Sequence, residues 1–80
     1  MGNSRQKPNR LRKYRLLAGY KQHEVAIKLG LRHTTPLTRW EQGQSIPSLK
    51  YALKLSVLYN TFVQELFYDL YKEIKQEVKK

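Results

Sequence analysis

Apolar residues recur along this chain at helical spacing, and no segment alternates between apolar and polar residues as a strand would. The periodic stretches are separated by residues that commonly end helices, namely Gly19, Gly30, Gly43 and Asn60. The intervals between these breaks predict five helices. The predicted fold class is therefore all-α, in one compact domain.

The first three predicted helices are short. The first is capped by Asn9, and the second covers residues 22–29, with Gly30 as a left-handed stop. The third begins near Thr35, since threonine is a good helix cap and Pro36 suits the first helical position. Together the second and third stretches predict a helix-turn-helix.

The fourth predicted helix follows Ile46-Pro47 and is capped by Ser48. Its predicted core-facing residues are Leu49, Ala52, Leu53, Val57 and Leu58. The fifth helix begins at Thr61, because the sequence 61–64 matches a capping box. Its apolar side consists of Val63, Leu66, Phe67, Leu70, Ile74 and Val78, which extends it close to the end of the chain.

The net charge of the whole chain is +10, and the positive charge is concentrated in its first half. Residues 1–40 hold ten Lys and Arg against one acid, whereas residues 41–80 hold six against five. Such segregation is expected of a protein that binds a polyanion, although it suits DNA, RNA or an anionic membrane equally. No apolar run reaches the roughly 18 residues of a membrane span, and the first ten residues lack a signal peptide's apolar stretch. We therefore expect a cytoplasmic protein with no membrane partner.

Residues that support catalysis or metal binding are scarce. The chain has no cysteine and a single aspartate, Asp69, and its two histidines, His23 and His33, are ten positions apart. That spacing without cysteines or an acidic cluster is a poor metal signature, and no glycine-rich run could hold a nucleotide phosphate. We expect neither an enzyme nor a metal or other cofactor.

The joint spacing of common residues across the chain resembles the Cro/C1-type helix-turn-helix family, also called the Xre family. The matching residues are Leu11-Arg12, Arg15, Gln22, Val25-Ala26, Leu29-Gly30, Leu37, Trp40-Glu41, Gly43, Pro47-Ser48-Leu49 and Glu65-Leu66-Phe67. The resemblance implies a five-helix domain that binds double-stranded operator DNA, usually as a dimer. It would occupy residues 9–68, between a basic N-terminal arm (1–8) and a C-terminal helical extension (69–80).

The same resemblance implies which residues contact DNA. The base-reading positions would be Thr34, Thr35, Thr38 and Arg39, on or just before the exposed face of the third helix. Arg39 is the strongest candidate because a guanidinium can bond O6 and N7 of guanine together. The phosphate-contacting positions would be Lys21, Gln22, Arg32, His33, Gln42, Gln44 and Ser45. For His33 a bond within the turn, or plain solvation, is an open alternative.

Two departures from the family pattern affect these assignments. Nine residues, 31–39, stand between the glycine and the tryptophan where the family usually has eight. Which of Arg32, His33 and Thr34 faces the groove is therefore open. Lys21 replaces the usual Ser or Thr cap, which is worth about 1 kcal/mol, and adds a cation at the positive helix end. A bound phosphate would relieve that conflict.

Other residues have structural interpretations. Trp40 is predicted to lie in the core, and the resemblance pairs Arg15 with Glu41 across the first and third helices as a structural ion pair. Five basic residues near the N-terminus form either a solvated face or a contact with the DNA backbone or minor groove: Arg5, Lys7, Arg10, Arg12 and Lys13.

The late helix carries apolar residues beyond the usual end of the family domain, namely Leu70, Tyr71, Ile74 and Val78. They would form a frayed tail, a dimer contact or a surface that packs back on the domain. The predicted function is a sequence-specific DNA-binding regulator, a repressor that acts as a homodimer on two half-sites. One alternative is an antitoxin whose protein partner covers the C-terminal helix, and another is an RNA-binding module.

Overall fold

The computed structural model describes residues 8–79, and within them all regular structure is helical. The helices are α1 (Leu11–Leu17), α2 (Gln22–Leu29), α3 (Thr35–Glu41), α4 (Leu49–Leu58), α5 (Val63–Leu66) and α6 (Tyr68–Val78). The all-α prediction is confirmed. Within this part of the chain, no helix combines the length and apolarity that crossing a membrane requires. The predicted basic arm, with Arg5 and Lys7, lies outside the described residues except for Pro8.

The late part of the chain differs from the single fifth helix that the sequence predicts. Phe67 has φ −117° and ψ 48°, so the helix breaks there and divides into α5 and α6. Leu66, the last residue of α5, and Phe67, at the break, are both buried in the core. The capping box predicted at Thr61 is not formed, because Phe62 occupies the N-cap without a side-chain hydrogen bond.

One hydrophobic core unites the helices. Its buried members are Leu11, Val25, Leu29, Leu37, Trp40, Ala52, Leu55, Tyr59, Leu66 and Phe67. The prediction that Trp40 is a core residue is confirmed, and its ring lies 5.6 Å from that of Tyr51, between centroids. Residues of all the helices except α6 thus contribute fully buried side chains, and α6 adds the partly buried Leu70.

The buried face of α4 is only partly the one predicted. Ala52 is buried and Leu58 packs partly buried against the core, as predicted, but Leu49, Leu53 and Val57 are exposed. Leu55 and Tyr59 are buried although they were not assigned to the core. Because α4 carries apolar residues around most of its circumference, its sequence fits more than one inward face. The contacts that α4 makes with α2 and α5 determine which of these faces is buried.

Two polar side chains fix the starts of α1 and α4. Asn9 accepts a hydrogen bond from the Leu11 amide (3.0 Å) and donates one to the Trp40 carbonyl (2.7 Å), although Arg10 is the N-cap residue. Asn9 thereby joins the start of α1 to the end of α3. Ser48 caps α4 as predicted, since its hydroxyl oxygen accepts from the Tyr51 amide at 3.4 Å.

Candidate nucleic-acid interface

The turn between α2 and α3 is closed by left-handed backbone at Gly30. Its φ of 79° is the conformation that a glycine after a helix is expected to adopt. The Leu31 amide then bonds the Ala26 carbonyl at 2.8 Å, and the Leu31 side chain packs against the core. With Leu31 held inward, Arg32 and His33 are exposed, so the longer turn is accommodated at the surface.

The start of α3 differs by one residue from the prediction. Thr34 is the N-cap, Thr35 is the first helical residue, and neither supplies a side-chain cap bond. Pro36 lies in the first turn, where its missing N–H costs no helical hydrogen bond. Thr34 is half-buried, whereas Thr35 is exposed.

A buried ion pair joins α1 to the end of α3. Arg15 Nε lies 2.7 Å from Glu41 Oε2, and the two side chains are only 8% and 4% exposed. Arg15 Nη1 also donates to the Tyr20 carbonyl at 3.0 Å. The hydrogen bond to Glu41 raises the pKa of Arg15 above its ordinary value, so the guanidinium stays charged. Glu41 therefore has a structural role and does not contribute a free carboxylate to the protein surface.

Gln22 extends this pair into a network that reaches α3. Its amide nitrogen donates to Glu41 Oε1 at 3.1 Å, and its amide oxygen accepts from the Thr38 hydroxyl, also at 3.1 Å. Gln22 is the first residue of α2, and Thr38 lies in the middle of α3. The chain of contacts from Arg15 through Glu41 and Gln22 to Thr38 fixes the position of α3 against α1 and α2. Sequence spacing gave no signal for the bond between Gln22 and Thr38.

The outward face of α3 is polar. Leu37 and Trp40 point into the core, whereas Thr35, Arg39 and Gln42 follow one another at i, i+4 and i+7 and are all exposed. Within residues 8–79, the Arg39 guanidinium makes no hydrogen bond or ion pair with another side chain or with the backbone. This exposed face and its surroundings, here called the α3 surface, comprise Lys21, Arg32, His33, Thr35, Arg39, Gln42, Gln44 and Ser45.

The α3 surface is positive, because its defined residues include Lys21, Arg32 and Arg39 and no acid. Glu41 is paired with Arg15 in the buried ion pair, and the Glu24 carboxylate accepts a hydrogen bond from the Lys21 amide at 2.7 Å. That bond also compensates α2 for the missing Ser or Thr cap, since it places a carboxylate at the positive end of the helix. The conflict expected at Lys21 is thus relieved within α2, without an external phosphate.

Arg10 belongs to a different cluster from the one that the sequence suggests. Its guanidinium pairs with Glu65 and lies over the Tyr68 ring, 4.6 Å from the centroid. The Tyr14 hydroxyl donates to the same Glu65 carboxylate at 2.7 Å. Arg10 therefore links α1 to α5 and α6, whereas Arg12 and Lys13 are exposed.

The four apolar residues of the predicted dimer contact are separated by the fold. Leu70 packs against the core, while Tyr71, Ile74 and Val78 are exposed along α6. Beside them lies a groove of about 280 Å³ with an almost wholly apolar lining from the start of α4, from α5 and from α6. This region, here called the α6 surface, also includes the exposed Ile46 and Leu49.

Comparison with known proteins agrees with this geometry. A family model described as helix-turn-helix matches residues 11–66. An uncharacterized HTH-type transcriptional regulator of Archaeoglobus fulgidus is 36% identical over 58 residues, which cover 72% of this chain and 81% of that protein. No solved structure matches the chain significantly.

Proposed function

The chain belongs to the Cro/C1-type helix-turn-helix family, and on that premise we propose that it regulates transcription by binding double-stranded DNA. In this proposal α3 enters the major groove and reads a specific sequence. The observation that carries it is the network from Arg15 to Thr38, which holds α3 firmly while Arg39 stays exposed and unpaired among residues 8–79.

Base reading is assigned to the exposed side of α3 and the residues just before it. Arg39 would donate both ends of its guanidinium to O6 and N7 of a guanine. The three threonines Thr34, Thr35 and Thr38 would contribute shorter-range contacts. The Thr38 hydroxyl already donates to Gln22, so it would act towards DNA as an acceptor or through its methyl group.

Phosphate contacts would flank the base-reading helix. At the N-terminus of α2, Lys21 and Gln22 would meet one phosphate, where outward amides and the helix dipole favour an anion. The remaining assignments are Arg32 and His33 in the turn, and Gln42, Gln44 and Ser45 after α3. Gln22 retains one N–H for this role, since its other polar contacts are within the protein.

We further propose that the protein binds as a homodimer through the α6 surface and acts as a repressor. Two α6 helices packed antiparallel about a dyad at Ile74 would place Leu70 opposite Val78. The same register places acids opposite lysines, pairing Asp69 with Lys79 and Glu73 with Lys75. The α6 sequence is thus complementary to itself in both apolar and charged positions.

The experiment that tests this function is selection of bound sequences from a random duplex pool. We expect an enriched, two-fold symmetric site with half-site centres about 10 base pairs, or 34 Å, apart. The enriched duplex should compete better than single-stranded RNA of matching sequence. Absence of any enriched sequence, or preference for the RNA, would contradict the proposal.

A further inference from the structure

A second apolar surface lies between α2 and α4. It is a groove of about 400 Å³ lined by Lys28, Leu29, Leu53, Lys54, Val57 and Leu58. None of these residues belongs to the α3 surface or to the α6 surface, so the groove lies outside the proposed DNA and dimer contacts. We propose that this α2–α4 groove binds an acidic amphipathic helix of a partner protein.

The apolar lining of the groove supplies the first part of the argument. Leu53 and Val57 are one helical turn apart on α4 and remain 50% and 81% exposed, although both are strongly apolar. They stand beside Leu29 and Leu58, which are buried and half-buried. Such a row between two helices is suited to a third helix whose apolar residues recur at i, i+3 or i+4, and i+7.

The charges at the rim supply the second part. Lys28 on α2 and Lys54 on α4 flank the apolar row, and Lys50 lies one turn before Lys54. The α4 helix has no acidic residue. The single acid of α2, Glu24, lies one turn before Lys28, and its carboxylate accepts a hydrogen bond from the Lys21 amide. A complementary partner therefore carries carboxylates on both sides of its apolar stripe.

The same features disfavour other occupants. A second copy docked on this groove through the same surface would bring Lys28 and Lys54 against lysines, which repel. DNA would meet the rim with phosphates but has no apolar side chains to fill the row of Leu53 and Val57. A bilayer is flat on this scale, whereas the lining is concave between two helices. An acidic helix satisfies the shape, the apolarity and the charge together.

The test uses the full chain and a labelled synthetic peptide of about 20 residues, which is above the length of about 12–15 residues below which isolated helices are marginal. The peptide carries leucines at i, i+4 and i+7 and glutamates along both flanks. We expect saturable binding by fluorescence anisotropy, with amide chemical-shift changes confined to the end of α2 and to α4. The double variant Lys28→Glu/Lys54→Glu should weaken binding about tenfold, because it replaces two rim attractions by repulsions.

A matched control and a second variant keep the interpretation specific. Lys13→Glu/Lys72→Glu makes the same change in net charge at exposed positions outside the groove, and each of these lysines lies over a tyrosine ring, as Lys28 and Lys54 do. This control should alter peptide affinity by less than about twofold. Val57→Ser removes apolar surface from a largely exposed site and should weaken the peptide about threefold while the fold is kept.

Several outcomes would overturn the proposal. They are equal binding of a peptide with lysines in place of the glutamates, an equal loss in the control double variant, or no peptide binding at millimolar concentration. Binding of phosphatidylglycerol vesicles instead of the peptide, lost in Lys28→Glu/Lys54→Glu, would make the groove a membrane surface and equally overturn it. Operator binding by the unmodified chain is measured separately, so failure of the DNA proposal would be distinguishable from failure of this one.

Discussion

At the scale of single residues, Arg39 is the position where exposure and chemistry best agree. We expect Arg39→Ala to reduce discrimination at one base pair of the operator by about 1–3 kcal/mol, because the bidentate contact to guanine is lost. The free energy of unfolding should hardly change, since the side chain is exposed and makes no polar contact within residues 8–79. Affinities for a set of single-base operator variants measure the effect.

Arg12→Ala is the matched control for Arg39→Ala, since it removes an exposed arginine from α1. It should leave the order of preference among operator variants unchanged. If Arg39→Ala weakened all sequences by the same factor, Arg39 would be a phosphate contact rather than a base contact.

Tyr59 shows a different kind of residue-scale feature. Its ring is buried in the core, but its hydroxyl has no hydrogen-bond partner among residues 8–79. Burial raises the pKa of this phenol well above its ordinary value, so the group stays neutral. A buried hydroxyl without a partner costs free energy that a phenylalanine ring would avoid.

We therefore expect Tyr59→Phe to keep the free energy of unfolding or raise it by about 1 kcal/mol. Urea denaturation followed by circular dichroism measures the change. Tyr14→Phe provides the contrast, because it removes a hydroxyl that donates to Glu65 and should lower stability. A loss of 1 kcal/mol or more in Tyr59→Phe would show that the hydroxyl is hydrogen-bonded in solution.

At the scale of helices, α1 is attached to α5 through one acidic side chain, that of Glu65. The hydrogen bond from the Tyr14 hydroxyl, followed by that from Arg10, lowers the pKa of Glu65 below its ordinary value. The pKa of Glu65 is lower in the folded protein than in the unfolded chain. At pH values between these two pKa values, the folded protein therefore binds fewer protons than the unfolded chain. The contribution of Glu65 to stability is complete above the ordinary pKa, about 4.3, and is lost as the pH falls through the folded value.

We expect the stability difference between the unmodified chain and Glu65→Gln to be larger at pH 7 than at pH 3. Urea titrations at several pH values measure this difference. Tyr14→Phe removes the largest cause of the shift, so it should reduce the pH dependence that Glu65→Gln abolishes. A difference that stays constant from pH 7 to pH 3 would show that Glu65 titrates alike in both states.

Helix extents and helix contacts were not equally predictable. The approximate bounds of α2 were predicted correctly, since Gly30 and the apolar spacing of residues 25–29 act locally. The break at Phe67 was not predicted, because it depends on how Leu66 and Phe67 pack in the core. For the candidate interface, the sequence placed Arg39 on α3 but gave no indication that Thr38 bonds Gln22.

At the scale of the whole molecule, the segregated charge predicts strong salt dependence of DNA binding. With six to ten phosphate contacts, affinity for the selected operator should fall by roughly 10³ to 10⁵ between 50 and 200 mM salt. The reason is the positive first half of the chain, together with the pairing of Glu41, beside the α3 surface, with Arg15. Fluorescence anisotropy across this salt range measures it, and an affinity that hardly changed would contradict an electrostatic contact.

The proposed dimer is also a property of the whole molecule. Ile74 would lie on the dyad, so Ile74→Glu places two carboxylates together and should prevent dimer formation. Because Ile74 is 46% exposed on a helix that contributes no fully buried residue, the monomer should still fold. Sedimentation equilibrium with and without operator DNA measures the association.

Gln76→Glu is the control for Ile74→Glu, since it adds one carboxylate to an exposed polar position of α6. It should leave most of the dimer intact. If Ile74→Glu dimerised as well as the unmodified chain, the α6 surface would not be the dimer contact, whatever the state of DNA binding.

Residue types and their spacing were sufficient to predict that the chain is helical, that α2 ends before Gly30 and that positive charge is concentrated in the first half of the chain. These properties depend on spacing along the chain, on single glycines and on residue type, which are all local. The buried side of α4 and the hydrogen bonds of Arg10 and Gln22 became evident only from the packing of the helices. They could not be predicted because α4 is apolar on several sides, and because the partners of these two long side chains lie more than fifteen residues away in the sequence.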